Sequence, residues 1–250
     1  MKTALVLVPG LMCDRTVWES QIQAVSDIAE CSVADHGSLD SLPAMASKIL
    51  REAPPSFAIA GHSMGGRVAM EVFRQAPERV ERIGIFDTKY QPLPPGEAGE
   101  QEKAGRYRLL AIAREQGVRV MAREWVKGMV HPDRLADTPL TDAILEMFAR
   151  KSADIFAAQL HALIHRPDAA PLLSQIRCPA LILCGREDAW SPPPPHQQMA
   201  AKIPCSKLVI VERSGHMVTL EQPEAVSRAM RDWLLSAPKS SPESTPRRSP

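Results

Sequence analysis

The 250-residue sequence predicts an α/β protein, with a mostly parallel sheet of about six strands and helices on both faces. Short apolar runs rich in β-branched residues alternate with segments whose apolar residues recur at helical spacing. This alternation stops after Tyr90, and residues from about 97 to 165 show helical patterns only. The sequence therefore predicts a helical insertion between two strands of the sheet.

The predicted strands are continuous apolar runs, which are typical of strands buried on both faces of a parallel sheet. They span residues 4–8, 31–35, 57–61, 82–88, 180–184 and 207–211. Helical spacing marks residues 17–25, a helix from near Pro43, the segment after Ser63, and residues 196–202 and 223–235. In the insertion, Thr138 is the expected N-cap of a helix with Pro139 in its first turn.

These patterns divide the chain into three parts. Residues 1–95 and 171–236 are expected to form the α/β core, and residues 96–170 a helical cap, or lid. Residues 237–250 consist mostly of Pro, Ser, Lys and Arg, with almost nothing to bury, and are expected to form a disordered tail.

The composition excludes several classes of function. Hydrophobic residues make up 44% of the chain, aromatic residues 4%, and the formal net charge is +1, which argues against a nucleic-acid or anionic membrane partner. No apolar run approaches the roughly 20 residues that span a bilayer. The five cysteines are scattered without Cys-x-x-Cys spacing, so neither a disulfide framework nor a zinc site is indicated. We expect a cytoplasmic protein with no metal and no cofactor.

Residues 61–65 read Gly-His-Ser-Met-Gly and lie between a predicted strand and a predicted helix. In that context the motif Gly-x-Ser-x-Gly is typical of a nucleophile elbow, in which a strained turn exposes the serine hydroxyl. Gly61 and Gly65 are expected at these two positions because neighbouring backbone passes close to them and leaves no room for a side chain. The sequence therefore predicts that Ser63 is a nucleophile.

Two further strand ends carry residues that suit acyl transfer through a serine. Asp188 follows the fifth strand and His216 the sixth, and the ends of parallel strands meet at one edge of the sheet. His216 is expected to act as the base for Ser63, and Asp188 to orient its imidazole. The backbone amides of Leu11 and Met64 are the expected oxyanion hole.

Other residues could take some of these roles. Glu187 and Asp87 are alternatives for the acid; Asp87 could instead cap the turn at Thr88. His62 is expected to be a packed neighbour of the site, and Cys13 a buried thiol, with exposure to ligand as its alternative. The remaining histidines are expected on the surface or in the cap; they are His36, His131, His161, His165 and His196.

The order Ser, Asp, His, with Gly-His-Ser-Met-Gly-Gly at 61–66, Gly-Arg-Glu-Asp at 185–188 and Ser-Gly-His at 214–216, resembles the α/β-hydrolase superfamily. The similarity extends from residue 5 to 235 and is greatest to small carboxylesterases and enol-lactonases with a helical cap. The sequence departs from the usual pattern of the family in two places. Pro9-Gly10 stands where the family usually has His-Gly, and the two N-terminal antiparallel strands common in the family are absent.

A cap over the site is expected to close an apolar chamber, with Trp125 and Met129 facing the substrate. The other large side chains considered for the pocket are Trp18, Tyr107, Met147, Phe156 and Trp190. The resemblance implies a cofactor-free serine hydrolase that cleaves a small or medium carboxylic ester through an acyl-enzyme. A lactonase, a carbon–carbon bond hydrolase, an acyltransferase, a perhydrolase and a ligand receptor on the same fold remain alternatives.

Overall fold

The computed structural model describes residues 2–237, so residues 238–250 of the predicted tail lie outside the described residues. Its centre is a six-stranded sheet in the order β2-β1-β3-β4-β5-β6, and all neighbouring strands run parallel. This confirms the predicted fold class. The strands are β1 (Thr3–Val8), β2 (Ala29–Val33), β3 (Phe57–His62), β4 (Val80–Phe86), β5 (Ala180–Gly185) and β6 (Ser206–Val211).

Helices connect the strands and form the insertion. In the core they are α1 (Glu19–Val25), α2 (Leu42–Glu52), α3 (Met64–Gln75), α9 (Pro193–Lys202), α10 (Val218–Glu221) and α11 (Pro223–Leu235). Between β4 and β5 they are α4 (Glu97–Glu115), α5 (Val118–Trp125), α6 (Thr138–Ala149), α7 (Ala153–Ile164) and α8 (Ala170–Leu173). The predicted alternation and the helical insertion are therefore both present in the fold.

Some element boundaries differ from the predicted ones. The second and fourth strands each begin two residues earlier than predicted, at Ala29 and Val80. The N-cap of α6 is Asp137 rather than Thr138, because the Asp137 carboxylate accepts a hydrogen bond from the Leu140 amide at 3.2 Å. The last helix has the predicted bounds.

The strand order explains why helices cover both faces of the sheet. Parallel crossovers are right-handed, so a connection that moves left along the sheet and one that moves right leave their helices on opposite faces. The chain moves from β1 to the edge strand β2 and then back past β1 to β3. Accordingly α1 packs with α11, while α2 packs with α3.

The reversal of strand order places a crevice at the ends of β1 and β3, which is where open parallel sheets bind ligands. Val8 pairs with Gly61, so the loop after β1 and the turn after β3 are adjacent. A Cβ at Gly61 would overlap the Gly65 carbonyl, and one at Gly65 would overlap the Val8 carbonyl. The close approach that the two glycines predict is therefore real. Within residues 2–237 no helix is long and apolar enough to cross a membrane.

Candidate active site

Ser63 lies in the sharp turn between β3 and α3. Its φ is 55° and its ψ is −119°, a left-handed backbone that a residue with a Cβ rarely adopts and that stores strain. The turn is fixed by the Ser63 amide, which donates a hydrogen bond to the Phe86 carbonyl at 2.8 Å. The hydroxyl therefore projects from the edge of the sheet at a defined position.

His216 follows β6 and lies beside Ser63. Its Nε2 is 2.8 Å from the Ser63 Oγ, and its ring is largely buried. The His216 amide donates to the Met129 carbonyl at 2.6 Å, so the insertion helps to hold this loop. The buried Glu221 carboxylate also accepts hydrogen bonds from the Gly215 and Met217 amides at 2.9 and 3.2 Å. These contacts hold the backbone on both sides of His216.

Asp188 is buried on the far side of His216. Its Oδ2 lies 2.8 Å from the His216 Nδ1, and its Oδ1 accepts hydrogen bonds from the Trp190 and Ser191 amides, each at 2.9 Å. Burial by itself would raise the pKa of Asp188, but His216 and the two amides outweigh it, so the pKa lies below its ordinary value. The structure thus holds an ionised carboxylate against the imidazole.

Neither alternative acid contacts the His216 ring. The Glu187 carboxylate accepts a hydrogen bond from the Ser214 amide at 3.0 Å. Asp87 is buried, and its Oδ1 accepts a hydrogen bond from the Gly185 amide at 2.9 Å. Burial and the nearby Asp188 raise the pKa of Asp87 well above its usual range. The surroundings of Asp87 thus disfavour the anion that a partner of the His216 ring must be, whereas those of Asp188 favour it.

The histidines divide between the site, the core and the surface. His62 packs beside His216, and its Nε2 lies 2.7 Å from the His216 carbonyl. The prediction that His36 and His196 lie on the surface or in the cap is wrong, because both are buried. His196 lies in α9 and faces the end of β4, where its Nε2 accepts a hydrogen bond from the Thr88 amide at 3.1 Å.

The proposed oxyanion donors lie on either side of Ser63. Met64 begins α3, and the first amides of a helix have no partner within the helix. Leu11 lies in the loop after β1, where the Cys13 amide closes a turn on the Gly10 carbonyl at 3.0 Å. Both residues line the same cavity as Ser63.

Gln159 of α7 supports the loop after β1 from outside the cavity, and the sequence patterns do not single it out. Its buried amide oxygen accepts a hydrogen bond from the Met12 amide at 2.9 Å, and its nitrogen donates to the Gly37 carbonyl at 3.2 Å. Met12 has a φ of 63°, so the loop after β1 is strained at this point. Gln159 therefore ties the insertion to the loop that carries Leu11.

A cavity of about 480 Å³ lies above Ser63, within the range of about 300–1,000 Å³ typical of small-molecule sites. The predicted pocket residues Trp125 and Met129 both line it, together with Phe156 and Trp190. Trp190 stacks on Trp125, with ring centroids 5.7 Å apart, and packs 4.8 Å from the His216 ring. One wall of the cavity is therefore aromatic.

Other residues considered for the pocket behave differently. Trp18 and Met147 are buried in the core, and Tyr107 is half exposed; none of the three lines the cavity. Cys13 does line it, but burial raises the pKa of the thiol to about 12, so the thiol stays protonated. Across residues 2–237 no group of three or more His, Cys, Asp or Glu side chains is arranged to hold a metal ion.

Comparison with known proteins identifies the family of the chain. Residues 5–229 match the alpha/beta hydrolase family, and the chain belongs to that family. Its sheet, its helical insertion between β4 and β5 and the arrangement of Ser63 and His216 all accord with membership.

Several relatives resemble the chain over almost its whole length. The pimeloyl-[acyl-carrier protein] methyl ester esterase of Nitrosomonas europaea is 24% identical, over 88% of this chain and 91% of that protein. The (E)-2-((N-methylformamido)methylene)succinate hydrolase of Acinetobacter baylyi is 26% identical, over 94% of this chain and 91% of that protein.

Two solved structures share the fold. A thermophilic esterase from Thermogutta terrifontis superposes with a TM-score of 0.81 and 28% identity, over 94% of this chain and 90% of that one. The enol-lactonase of Burkholderia xenovorans has the same TM-score at 20% identity, over 94% of this chain and 92% of that one. The protein is therefore a hydrolase of the α/β-hydrolase type.

Proposed function

We propose that the protein is a serine hydrolase that cleaves a carboxylic ester through an acyl-enzyme, with Ser63 as nucleophile, His216 as base and Asp188 as acid. The observation that carries this proposal is the continuous chain of two 2.8 Å contacts from the Ser63 hydroxyl through both nitrogens of His216 to Asp188. Esterases among the relatives and structural neighbours support the ester as the scissile bond.

In the first half of the reaction, the Ser63 Oγ attacks the ester carbonyl carbon while His216 Nε2 takes the hydroxyl proton. The negative charge that develops on the carbonyl oxygen lies between the amides of Leu11 and Met64. Loss of one such donor typically costs about 2.7–4 kcal/mol of transition-state stabilisation. His216 then returns the proton to the alcohol oxygen, the carbon–oxygen bond breaks, and the acyl group stays on Ser63.

In the second half, water attacks the acyl-enzyme and His216 takes one of its protons. The tetrahedral intermediate collapses, the acid leaves, and the proton returns to Ser63. Asp188 stabilises the imidazolium in both halves because its carboxylate stays ionised beside the Nδ1. We further propose that residues 96–170 act as a cap whose Trp125 and Met129 contact the acyl or alcohol part of a small or medium ester.

The proposal is tested by hydrolysis of p-nitrophenyl esters from acetate to decanoate by the wild-type protein and by Ser63→Ala. The expected result is turnover across part of the series, and a loss on the order of 10⁴–10⁶ in kcat in the variant. Ser214→Ala, at a buried serine that lies outside the cavity, serves as the matched control and should retain activity.

Two outcomes would overturn the proposal. Activity that persists in Ser63→Ala would remove Ser63 as the nucleophile. A burst of one equivalent of p-nitrophenol followed by no turnover would indicate that the acyl-enzyme forms but that water does not release it, as in a receptor or an acyltransferase without its acceptor.

A further inference from the structure

Two arginines bind a single carboxylate on the wall of the cavity, and a third arginine lies beside them. We call Arg67, Arg106 and Arg166 the arginine cluster. Glu102 accepts hydrogen bonds from both terminal nitrogens of the Arg166 guanidinium, at 2.8 and 3.0 Å. It accepts two further hydrogen bonds from Arg106, at 3.1 and 2.8 Å. All four residues line the cavity that contains Ser63. Three cations and one anion therefore lie at this wall.

Arg67 is the member of the cluster without a carboxylate. Only 9% of the residue is exposed, and within residues 2–237 it forms no ion pair. Its guanidinium donates one hydrogen bond of 3.0 Å to the Gln91 carbonyl, which also accepts from Arg166 at 3.4 Å. Burial and the neighbouring Arg166 lower the pKa of Arg67 to about 9, which still leaves it charged at neutral pH.

An uncompensated buried charge is costly, and two guanidiniums that share one carbonyl repel each other. The cost is relieved when an anion enters and accepts the free N–H groups. The planar fork of arginine matches a carboxylate, which it can bind through two parallel hydrogen bonds. The cluster is therefore arranged to receive a small carboxylate from the cavity side.

Arg67 is close in sequence to the proposed nucleophile. It lies near the start of α3, four residues after Ser63, which is the N-cap of that helix. Both line the same cavity. A single substrate can therefore present an ester to Ser63 and a carboxylate to Arg67.

We propose that the arginine cluster is a subsite for a carboxylate on the substrate, and that the favoured substrate is a dicarboxylic acid esterified at one end only. This inference rests on the proposed function. It adds that the acyl chain ends in a free carboxylate, which the cluster binds while Ser63 attacks the esterified end.

The test compares esters that differ in charge but not in length. Ethanol release is measured for monoethyl succinate, monoethyl adipate and monoethyl suberate, and for the neutral partners ethyl butyrate, ethyl hexanoate and ethyl octanoate. At one length or more, we expect the kcat/KM of the wild-type protein to be at least tenfold higher for the anionic ester. In Arg67→Met this ratio should fall at least tenfold, whereas in Arg114→Met, at an exposed arginine of α4 outside the cavity, it should not change.

The ratio separates a binding role from a structural one. If Arg67 only stabilises the fold, Arg67→Met lowers the activity on both esters equally, the ratio stays constant, and the proposal is overturned. A wild-type ratio of one or less at every length would also overturn it. If Arg67→Met does not fold, Arg67→Lys, which keeps the charge but loses the fork, should reduce the ratio severalfold; an unchanged ratio there counts against the proposal.

A binding measurement keeps this inference separate from the proposed function. The Ser63→Ala protein is titrated calorimetrically with monoethyl adipate and with ethyl hexanoate. At least tenfold tighter binding of the anionic ester supports the subsite even if the wild-type protein hydrolyses neither ester. Equal binding of the two esters removes the subsite even if the wild-type protein hydrolyses both.

Discussion

The two sides of the cavity are built in different ways. On the sheet side, Ser63, Asp188 and His216 each lie within five residues of a strand end, and backbone amides or carbonyls hold their loops in place. On the helical side, Trp125, Phe156 and Arg166 are held by contacts between side chains and by ion pairs. Under the proposed function, the chemistry would therefore depend on the sheet, whereas the choice of substrate would depend on the inserted helices and on Arg67 of α3.

The largest expected effect separates two carboxyl groups on the sheet side. Asp188→Asn should lower kcat about 10⁴-fold, because the imidazolium loses its anion and the tautomer of His216 is reversed. Asp87→Asn should stay within about threefold of wild type, since burial and Asp188 already favour the neutral form of Asp87, and an amide oxygen can still accept from the Gly185 amide. Steady-state kinetics on the best p-nitrophenyl ester measures both. Equal losses in the two variants would contradict the assignment of Asp188.

The second prediction concerns the pH dependence of stability on the sheet side. His196 accepts a hydrogen bond from the Thr88 amide, and burial lowers its pKa to about 4. In the unfolded chain His196 has its ordinary pKa of about 6.5. The stability that its neutral form contributes is therefore fully present above pH 6.5 and is lost as the pH falls from 6.5 towards 4. At pH 5 the expected loss from this residue is about 2 kcal/mol.

Urea unfolding at pH 7.5 and pH 5 measures this loss. His196→Gln should reduce the difference between the two midpoints, while His165→Gln, at an exposed histidine of the insertion, should leave it unchanged. If His196→Gln kept the full wild-type difference between the two midpoints, packing at the end of the strand would not be what keeps His196 unprotonated.

The smallest expected effect lies where the two sides meet. Gln159→Leu removes the acceptor for the Met12 amide and should lower kcat about tenfold with little change in KM, because the loop carrying Leu11 loses its anchor. Gln159→Glu keeps an acceptor and should lose less. Asp154→Asn, on the exposed side of α7, is the matched control. A rise in KM with kcat unchanged would indicate that Gln159 shapes the pocket instead.

Much of the sheet side could be predicted because its signals are local. Strands of continuous apolar residues, the glycines around Ser63 and the short motifs that contain Asp188 and His216 are each visible in a short window of sequence. The parallel sheet then brings the three side chains to one edge without further information. Errors here are limited to strand boundaries and to the buried positions of His36 and His196.

The helical side could be predicted only as far as its helices and two of its pocket residues. Gln159 and Met12 are 147 residues apart, and Arg67 and Arg166 come from different parts of the fold. Such contacts depend on how helices cross, and no periodicity or motif encodes that. Glu221 shows the same limit, since three backbone amides converge on its carboxylate and one of them, from His131, is 90 residues away in the sequence.

Because the backbone of Ser63 is left-handed, stability and the proposed activity favour different residues at this position. A residue held at a φ of 55° gives up about 1–3 kcal/mol of folding free energy that glycine would largely recover. Random mutation screened only for thermal resistance would therefore favour replacing Ser63 by glycine, and under the proposed function it would select inactive proteins. The strain at Ser63 would then be the stability cost of presenting a hydroxyl at the end of β3.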